Sequence, residues 1–290
     1  MSWRTIVVSS VAKLDYQIGY LVVRGQETTR IHIHEVSILI VESTAVSMTA
    51  YLLNELVKNK VKVIFCDEKR NPVSELLPYY GSHDTSLKIR NQIKWDDIQK
   101  KEIWTQIVKE KIFQQAYLLK RLGYQEYDML TEYMDELETG DVTNREGHAA
   151  KVYFNAMFGK SFTRTEECPV NAALNYGYSI ILSMFTREIA SNGYLTQLGL
   201  FHDNMFNPFN LASDLMEPYR PIVDEIVWQM RPEKFEKEEK HIVLELLGHE
   251  VFIAGRREVV ENAVKIYTKS VFDVLEEKED AVIRFYKNEL

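Results

Sequence analysis

Two cysteines, Cys66 and Cys168, are all that the chain contains, and no CxxC spacing joins them. That excludes a disulfide framework and a thiolate-built structural zinc. No apolar run approaches the roughly 20 residues that span a bilayer. The opening, MSWRTIVVSSVAKLDYQ, lacks the basic flank, long apolar core and small-residue cleavage site of a secretory signal. Internal repeats, low-complexity tracts and long flexible linkers are missing too. Positive charge is in deficit: 35 Lys and Arg face 43 Asp and Glu, for a net charge of −8. A uniformly basic nucleic-acid binder is thereby excluded. These absences leave a reduced, cytoplasmic protein with no membrane partner as the expectation.

The 290 residues, 46% hydrophobic and 27% charged, can bury a substantial core and match the size of two domains. Charge is unevenly spread. From Lys88 to Arg121 nine Lys or Arg stand against four Asp or Glu, whereas RPEKFEKEEK and DVLEEKED lean acidic. The basic tract is either a surface for a polyanion or a salt-bridged helix face.

Strand-like and helix-like segments separate along the chain. TIVVSS, YQIGYLVVRG, TTRIHIH and VSILIVES are short runs of β-branched and aromatic residues. TAVSMTAYLLNELVKNK carries Val46, Met48, Tyr51, Leu52 and Leu56 at helical spacing, VKVIFCD reads as a buried strand, and NPVSELLPYYG as a turn and an edge strand. Beyond Gly81, Ile98, Ile103, Ile107, Ile112, Ala116 and Leu119 recur in a helical register. Further helices are expected at YDMLTEYMDEL, NREGHAAKVYFNAMFG and VNAALNYGYSIILSMFTREIAS, with about three more after Phe209. The expected fold class is α+β: a small N-terminal β-sheet domain with an inserted helix over residues 1–82, then a larger all-α domain over 83–290. A hinge is expected in YYGSHDTS.

Three phrases carry residues suited to chemistry. In REGHAAKVYF, Glu146 shares a helical stripe with Ala149, Ala150, Tyr153 and Phe154. Thr143-x-x-Glu146 equally fits a capping box, in which the carboxylate only returns a hydrogen bond to the backbone. His202 closes LGLFHD in an expected loop, where a histidine is either a ligand or an ordinary hydrogen-bonded side chain. In NPFNLASDLMEPYRP, Asn207-Pro208 suits a helix start. Asp214 and Glu217, three apart, would then project from one side. Pro218 and Pro221 interrupt that helix and leave the carbonyls of Asp214 and Glu217 without helical donors. The bland alternative is an acidic first turn favoured by the helix dipole. Two carboxylates and an imidazole from separate segments are a common way to hold a divalent metal with open positions.

In order, REGHAAKVYF, NAALNYGYSIIL, QLGLFH and FNLASDLMEPYRPIVD resemble the signature of the CRISPR-associated adaptation integrases, the spacer-acquisition endonuclease/integrase family. FCDEKRNPVSELLPYYG is similar to the end of that family's β domain. The likeness is greatest to the variant from systems with a single large RNA-guided effector nuclease. It implies a β domain that mediates dimerisation and partner contacts and a helical catalytic domain. It also implies a homodimer paired through a small ferredoxin-like adaptation subunit. The effector nuclease and an accessory DNA-end-binding protein are further implied partners. Glu146, His202 and Glu217 would be catalytic metal ligands for Mg²⁺ or Mn²⁺, with Asp214 as an auxiliary acid. Many relatives carry Asp where this chain has Glu217.

The activity so implied is insertion of double-stranded DNA fragments into CRISPR leader–repeat DNA, a 3′-hydroxyl attacking a phosphodiester at the repeat edge. A general metal-dependent DNA endonuclease and a non-catalytic DNA-binding scaffold are the alternatives. Lys88, Arg90, Lys94, Lys151 and Arg220 are candidate phosphate contacts. Arg220 is equally placed in sequence to pair with Asp214.

Overall fold

VSILIV, with apolar residues on both faces, can only be an inner strand, and it organises the first part of the molecule. The computed structural model describes residues 4–77 and 82–288, and the chain divides into two units, Met1–Tyr79 and Tyr80–Leu290. In the first unit the strands are β1 (Arg4–Val8), β2 (Ala12–Gln17), β3 (Tyr20–Arg24), β4 (Thr28–His32), β5 (Val36–Val41) and β6 (Val46–Met48). Helix α1 (Ala50–Lys58) follows, and then β7 (Lys62–Cys66) and β8 (Pro72–Glu75). They form two four-stranded sheets, ordered β1-β5-β7-β8 and β4-β3-β2-β6. All six residues of β5 are buried between parallel neighbours β1 and β7. Leu14, Leu21 and Ile31 of one sheet meet Leu39 and Val63 of the other, with Leu52 and Leu56 of α1, in one core.

Two local readings are corrected here. YQIGYLVVRG is a hairpin, not a single run. Ile18 and Gly19 both take positive φ (45° and 84°), the two-residue turn that matches strand twist, and Ile18 is left 93% exposed. Val46 and Met48 lie in a strand parallel to β2, because Thr49 starts the helix: its hydroxyl accepts from the Leu52 amide at 3.2 Å. The hinge expected at YYGSHDTS begins at residues 79–81, which lie outside the described residues.

The second unit contains α2 (Thr85–Gln92), α3 (Asp97–Arg121), α4 (Tyr127–Asp135), α5 (Arg145–Phe158), α6 (Pro169–Ser191), α7 (Asn210–Leu215), α8 (Arg220–Met230) and α9 (Lys237–Val243). The hairpin β9 (Glu250–Ile253) and β10 (Arg256–Val259) precedes α10 (Val260–Leu275). The all-α expectation therefore holds with one exception. FIAGRREV turns at Ala254 and Gly255, both at positive φ, and its β-branched flanks pair. Among the described residues four α-helices follow Phe209, where about three were expected. Helix α3 is about 37 Å long, starts on Asp96, which accepts from the Ile98 and Gln99 amides, and contacts α4, α5 and α8. Ile98, placed on the inward stripe by spacing, is 67% exposed in the first turn.

Helix α6 is buried on most sides and approaches α8 at Gly177. A Cβ there would stand 2.4 Å from Val223 Cγ1 and 3.1 Å from Val243 Cγ1. This contact fixes α8 against the centre of the unit. Residues 281–288 run back across the body. Phe252 and Lys287 exchange backbone hydrogen bonds (2.9 and 2.7 Å), Gln114 donates to the Tyr286 carbonyl at 3.0 Å, and the buried Tyr286 hydroxyl donates to the Pro218 carbonyl at 3.0 Å.

Gly177→Ala tests that approach. Helix propensity alone would raise stability by about 1 kcal/mol. Overpacking against a stiff β-branched side chain costs about 1–3 kcal/mol, so we expect a lower melting temperature, partly restored by Val223→Ala in the double variant. A melting temperature above that of the wild type would show that the helices can separate freely.

Candidate active site

Helix α5 begins without help from Thr143, whose hydroxyl makes no hydrogen bond. Asn144 sits in the left-handed region (φ 53°), and Asp141 accepts from the Arg145 and Glu146 amides at 2.7 and 3.1 Å. Asp141 is thus the cap, and the capping-box reading of Glu146 is overturned. The Glu146 carboxylate instead meets the Lys111 ammonium, which rises from α3.

Glu217 stands where the chain breaks between α7 and α8. Helix α7 starts at Asn210, two residues later than Asn207-Pro208 suggests, because the Asn207 side chain closes a turn onto the Phe209 amide at 3.0 Å. The helix stops at Leu215, a single 3₁₀ turn follows at Glu217–Tyr219, and α8 begins with Pro221 in its first turn. The carbonyl that Pro221 cannot serve, that of Glu217, accepts from the Arg220 amide. The Glu217 side chain is buried. One carboxylate oxygen accepts from Arg220 Nε at 2.9 Å, and the other meets Lys111 Nζ. Burial pushes its pKa up, but Arg220 and Lys111 outweigh burial and hold it below the usual glutamate range. Burial likewise lowers the Lys111 pKa, while Glu217 and Glu146 outweigh it and keep the ammonium charged.

His202 is held by Asp214 of α7. That carboxylate, fully buried, accepts from the amides of Leu200, Phe201 and His202 (2.6, 3.1 and 3.1 Å) and pairs with His202 Nδ1 at 2.6 Å. The imidazole therefore presents Nε2 as its remaining ring nitrogen. The hydrogen bond to Asp214 raises the His202 pKa against the opposing effect of burial, with further contributions from the charges of Asp214, Glu217 and Glu146. Gly199 makes the loop possible, since a Cβ there would lie 2.3 Å from the His202 carbonyl and 2.7 Å from Asp214 Oδ2. Trp104 of α3 stacks on Phe201 (4.6 Å between centroids) and meets the His202 ring edge-on.

Glu146, Glu217 and His202 thus face one region, with Lys111 between the two carboxylates. Asp214 serves the histidine and not Arg220, so the Asp214–Arg220 pairing is not formed. Arg220 binds Glu217 and lies 4.6 Å over the Tyr178 ring. Beside the carboxylates is a cleft of about 170 Å³ lined by Gln115, Arg164, Tyr178, Arg220 and Asp224 among others. Asp224 is clamped by the Tyr153 and Tyr178 hydroxyls, and burial raises its pKa to about 6. Spacing alone did not mark Lys111, Asp141, Gly199, Asp224 or Arg164. A lysine four residues beyond Ile107 on a buried stripe was the one available signal.

The basic tract divides between the two readings. Lys88 pairs with Asp84 at 3.1 Å, Lys100 with Asp97 at 2.7 Å, and Arg121 with Glu225. Arg90 and Lys94 are exposed, as is Lys151 on α5. Of the five proposed phosphate contacts, Arg220 alone lines the cleft.

Among the described residues no three His, Cys, Asp or Glu side chains form a preformed metal cluster. The donor set nonetheless fits a divalent cation chemically. Two carboxylates already share one positive charge, and an imidazole held from behind by Asp214 feels the charge of both. Among the described residues no helix is long and apolar enough to cross a membrane.

A family model described as CRISPR associated protein Cas1 matches residues 5–258. The chain is 35% identical over 226 residues to the CRISPR-associated endonuclease Cas1 of Neisseria meningitidis serogroup C (strain 8013), covering 77% of this chain and 74% of that protein. Its fold is similar to that of a CAS1 protein from Thermotoga maritima, with a TM-score of 0.76, 17% identity and coverage of 99% and 100% of the two chains. It is also similar to a casposase bound to integration product, with a TM-score of 0.77, 17% identity and coverage of 97% and 92%.

Asp214→Ala would leave three amides and an imidazole without their acceptor, and should cost about 3 kcal/mol or more in a denaturant titration. Asp214→Asn should return the His202 pKa toward 6.5, read by NMR. Because the folded-state value is raised, the Asp214 carboxylate's support is fully present below pH 6.5 and fades as pH rises through that higher value. An unaltered His202 titration in Asp214→Asn would remove Asp214 from this role.

Proposed function

The chain belongs to the CRISPR-associated Cas1 family, and from that premise we propose that it is a metal-dependent DNA integrase. It joins the 3′ ends of short DNA duplexes to the borders of a CRISPR repeat. The observation that supports this most is the convergence of Glu146 and Glu217, 71 residues apart, on one buried positive charge, with His202 near enough for both carboxylates to raise its pKa. A scaffold whose acids only cap helices would not bury Glu217 and draw Glu146 onto the same buried ammonium at such cost.

Joining is a transesterification. A 3′-oxygen forms a new ester to the target phosphorus as the bond to the target's own 3′-oxygen breaks, the attacker losing a proton and the leaving oxygen gaining one. No energy donor or oxidant is needed. Glu146, Glu217 and His202 Nε2 would hold the divalent cation, Mg²⁺ or, with imidazole in the set, Mn²⁺. When bound it would supply Lewis acidity to the attacking and leaving oxygens. Asp214 keeps Nε2 aimed, and Arg220, stacked on Tyr178, offers a fixed cation to a phosphate oxygen while bracing Glu217. Arg90, Lys94 and Lys151 are exposed and suited to contacts along the duplex backbone.

Joining both ends of a fragment requires two active subunits at fixed spacing. A homodimer combined with a small ferredoxin-like subunit is the assembly we propose. The name endonuclease carried by the Neisseria meningitidis relative supports a second outcome at the same site, with water replacing the 3′-hydroxyl.

The test is transfer of a labelled duplex with 3′ overhangs into a leader–repeat plasmid, with the small subunit present and with Mn²⁺, Mg²⁺ or EDTA. Metal-dependent joining at the repeat border is expected in the wild type. Glu217→Gln should reduce it by about 100-fold or more, the scale of losing one transition-state electrostatic contact, while DNA binding persists. Cleavage without joining would favour the nuclease, and binding with neither reaction would favour the scaffold.

A further inference from the structure

Lys111 has no part in the reaction outlined above, yet it is among the most deeply placed charges of the site. Its side chain is 7% exposed, and its ammonium touches Glu146 on one side and Glu217 on the other. Arg220 takes the remaining Glu217 oxygen. Two carboxylates thus face two cations, and the neighbouring Asp214–His202 pair is closed on itself. Charge in the cluster is already balanced, so a dication cannot enter without something giving way.

The two cations differ in freedom. Arg220 is locked by its planar pairing with Glu217 and by the Tyr178 ring beneath it. Lys111 holds both carboxylates through one small, rotatable ammonium on a four-carbon stem, and the cleft beside it is lined by Gln115, whose buried Oε1 accepts no other hydrogen bond. We propose that Lys111 is a built-in placeholder for the divalent cation. It keeps Glu146 and Glu217 together while the site is metal-free and yields carboxylate oxygens to the cation as it binds. The inference rests on the metal reading of the site.

The experiment compares the wild type, Lys111→Met and Glu217→Gln as full chains, by Mn²⁺ titration calorimetry and by melting temperature with and without Mn²⁺. Lys111→Met keeps the stem and removes the charge. Without metal it should melt below the wild type, because the two carboxylates lose their shared partner. With metal it should bind Mn²⁺ at least about 10-fold more tightly, since the competing cation is gone, and gain more in melting temperature from the same Mn²⁺ concentration. Glu217→Gln should bind Mn²⁺ more weakly than the wild type. If Lys111→Met fails to fold, Lys111→Gln, whose amide still reaches a carboxylate, should show the same tightening. In the wild type the Lys111 Nζ resonance should shift on saturation with Mg²⁺. Mn²⁺ affinity that is unchanged or weaker in the Lys111 variants, with ordinary binding by the wild type, would overturn the placeholder and leave the metal site standing. Absence of Mn²⁺ binding in every protein would overturn both.

Discussion

Two carboxylates cannot share a buried space without a cation between them. In general, like unit charges about 4 Å apart at an effective dielectric near 20 repel by about 4 kcal/mol, and burial adds a desolvation cost. Lys111 answers that constraint, and much of the second unit is arranged to let it do so. Its helix, α3, runs through the unit so that a single ammonium meets α5 on one side and the α7–α8 junction on the other. Remove the charge and the three elements have reason to move apart.

The α7–α8 junction is the second necessity. A continuous helix through Asp214 and Glu217 would point both acids along one face. The prolines divide their duties instead: Asp214 turns to the His202 loop, and Glu217 to Lys111 and Arg220. Each half is then fixed by a close approach that only glycine permits, Gly199 beneath the loop and Gly177 beneath α8. Broken helix, missing side chains and buried charge form a single device for presenting unlike groups to one point.

Legibility in the sequence followed the range of the interactions involved. Helices α5 and α6 were readable because their buried faces repeat within a few residues. The break at Pro218 and Pro221 was readable because proline acts on its own turn of chain. Ile18 misled because a residue of strong strand preference occupies a turn that Gly19 makes affordable. Thr143 misled because a capping motif matches by spacing alone, while the true cap, Asp141, enters through a left-handed residue that no short pattern marks. Lys111 was hidden among eight neighbouring cations; what sets it apart is carboxylates 35 and 106 residues away. Family likeness assembled Glu146, His202 and Glu217 where local chemistry left each with an innocent alternative, but it was silent about the cation between them.

The strand of chain at 281–288 carries an implication for biosynthesis. Tyr286 supports the Pro218 carbonyl from 68 residues further along the chain. At about 5–20 residues per second, a ribosome needs roughly 3–14 s to cover that interval. During it the Pro218 carbonyl, next to Glu217, has yet to meet its tyrosine donor, so this contact joins parts of the chain made well apart in time.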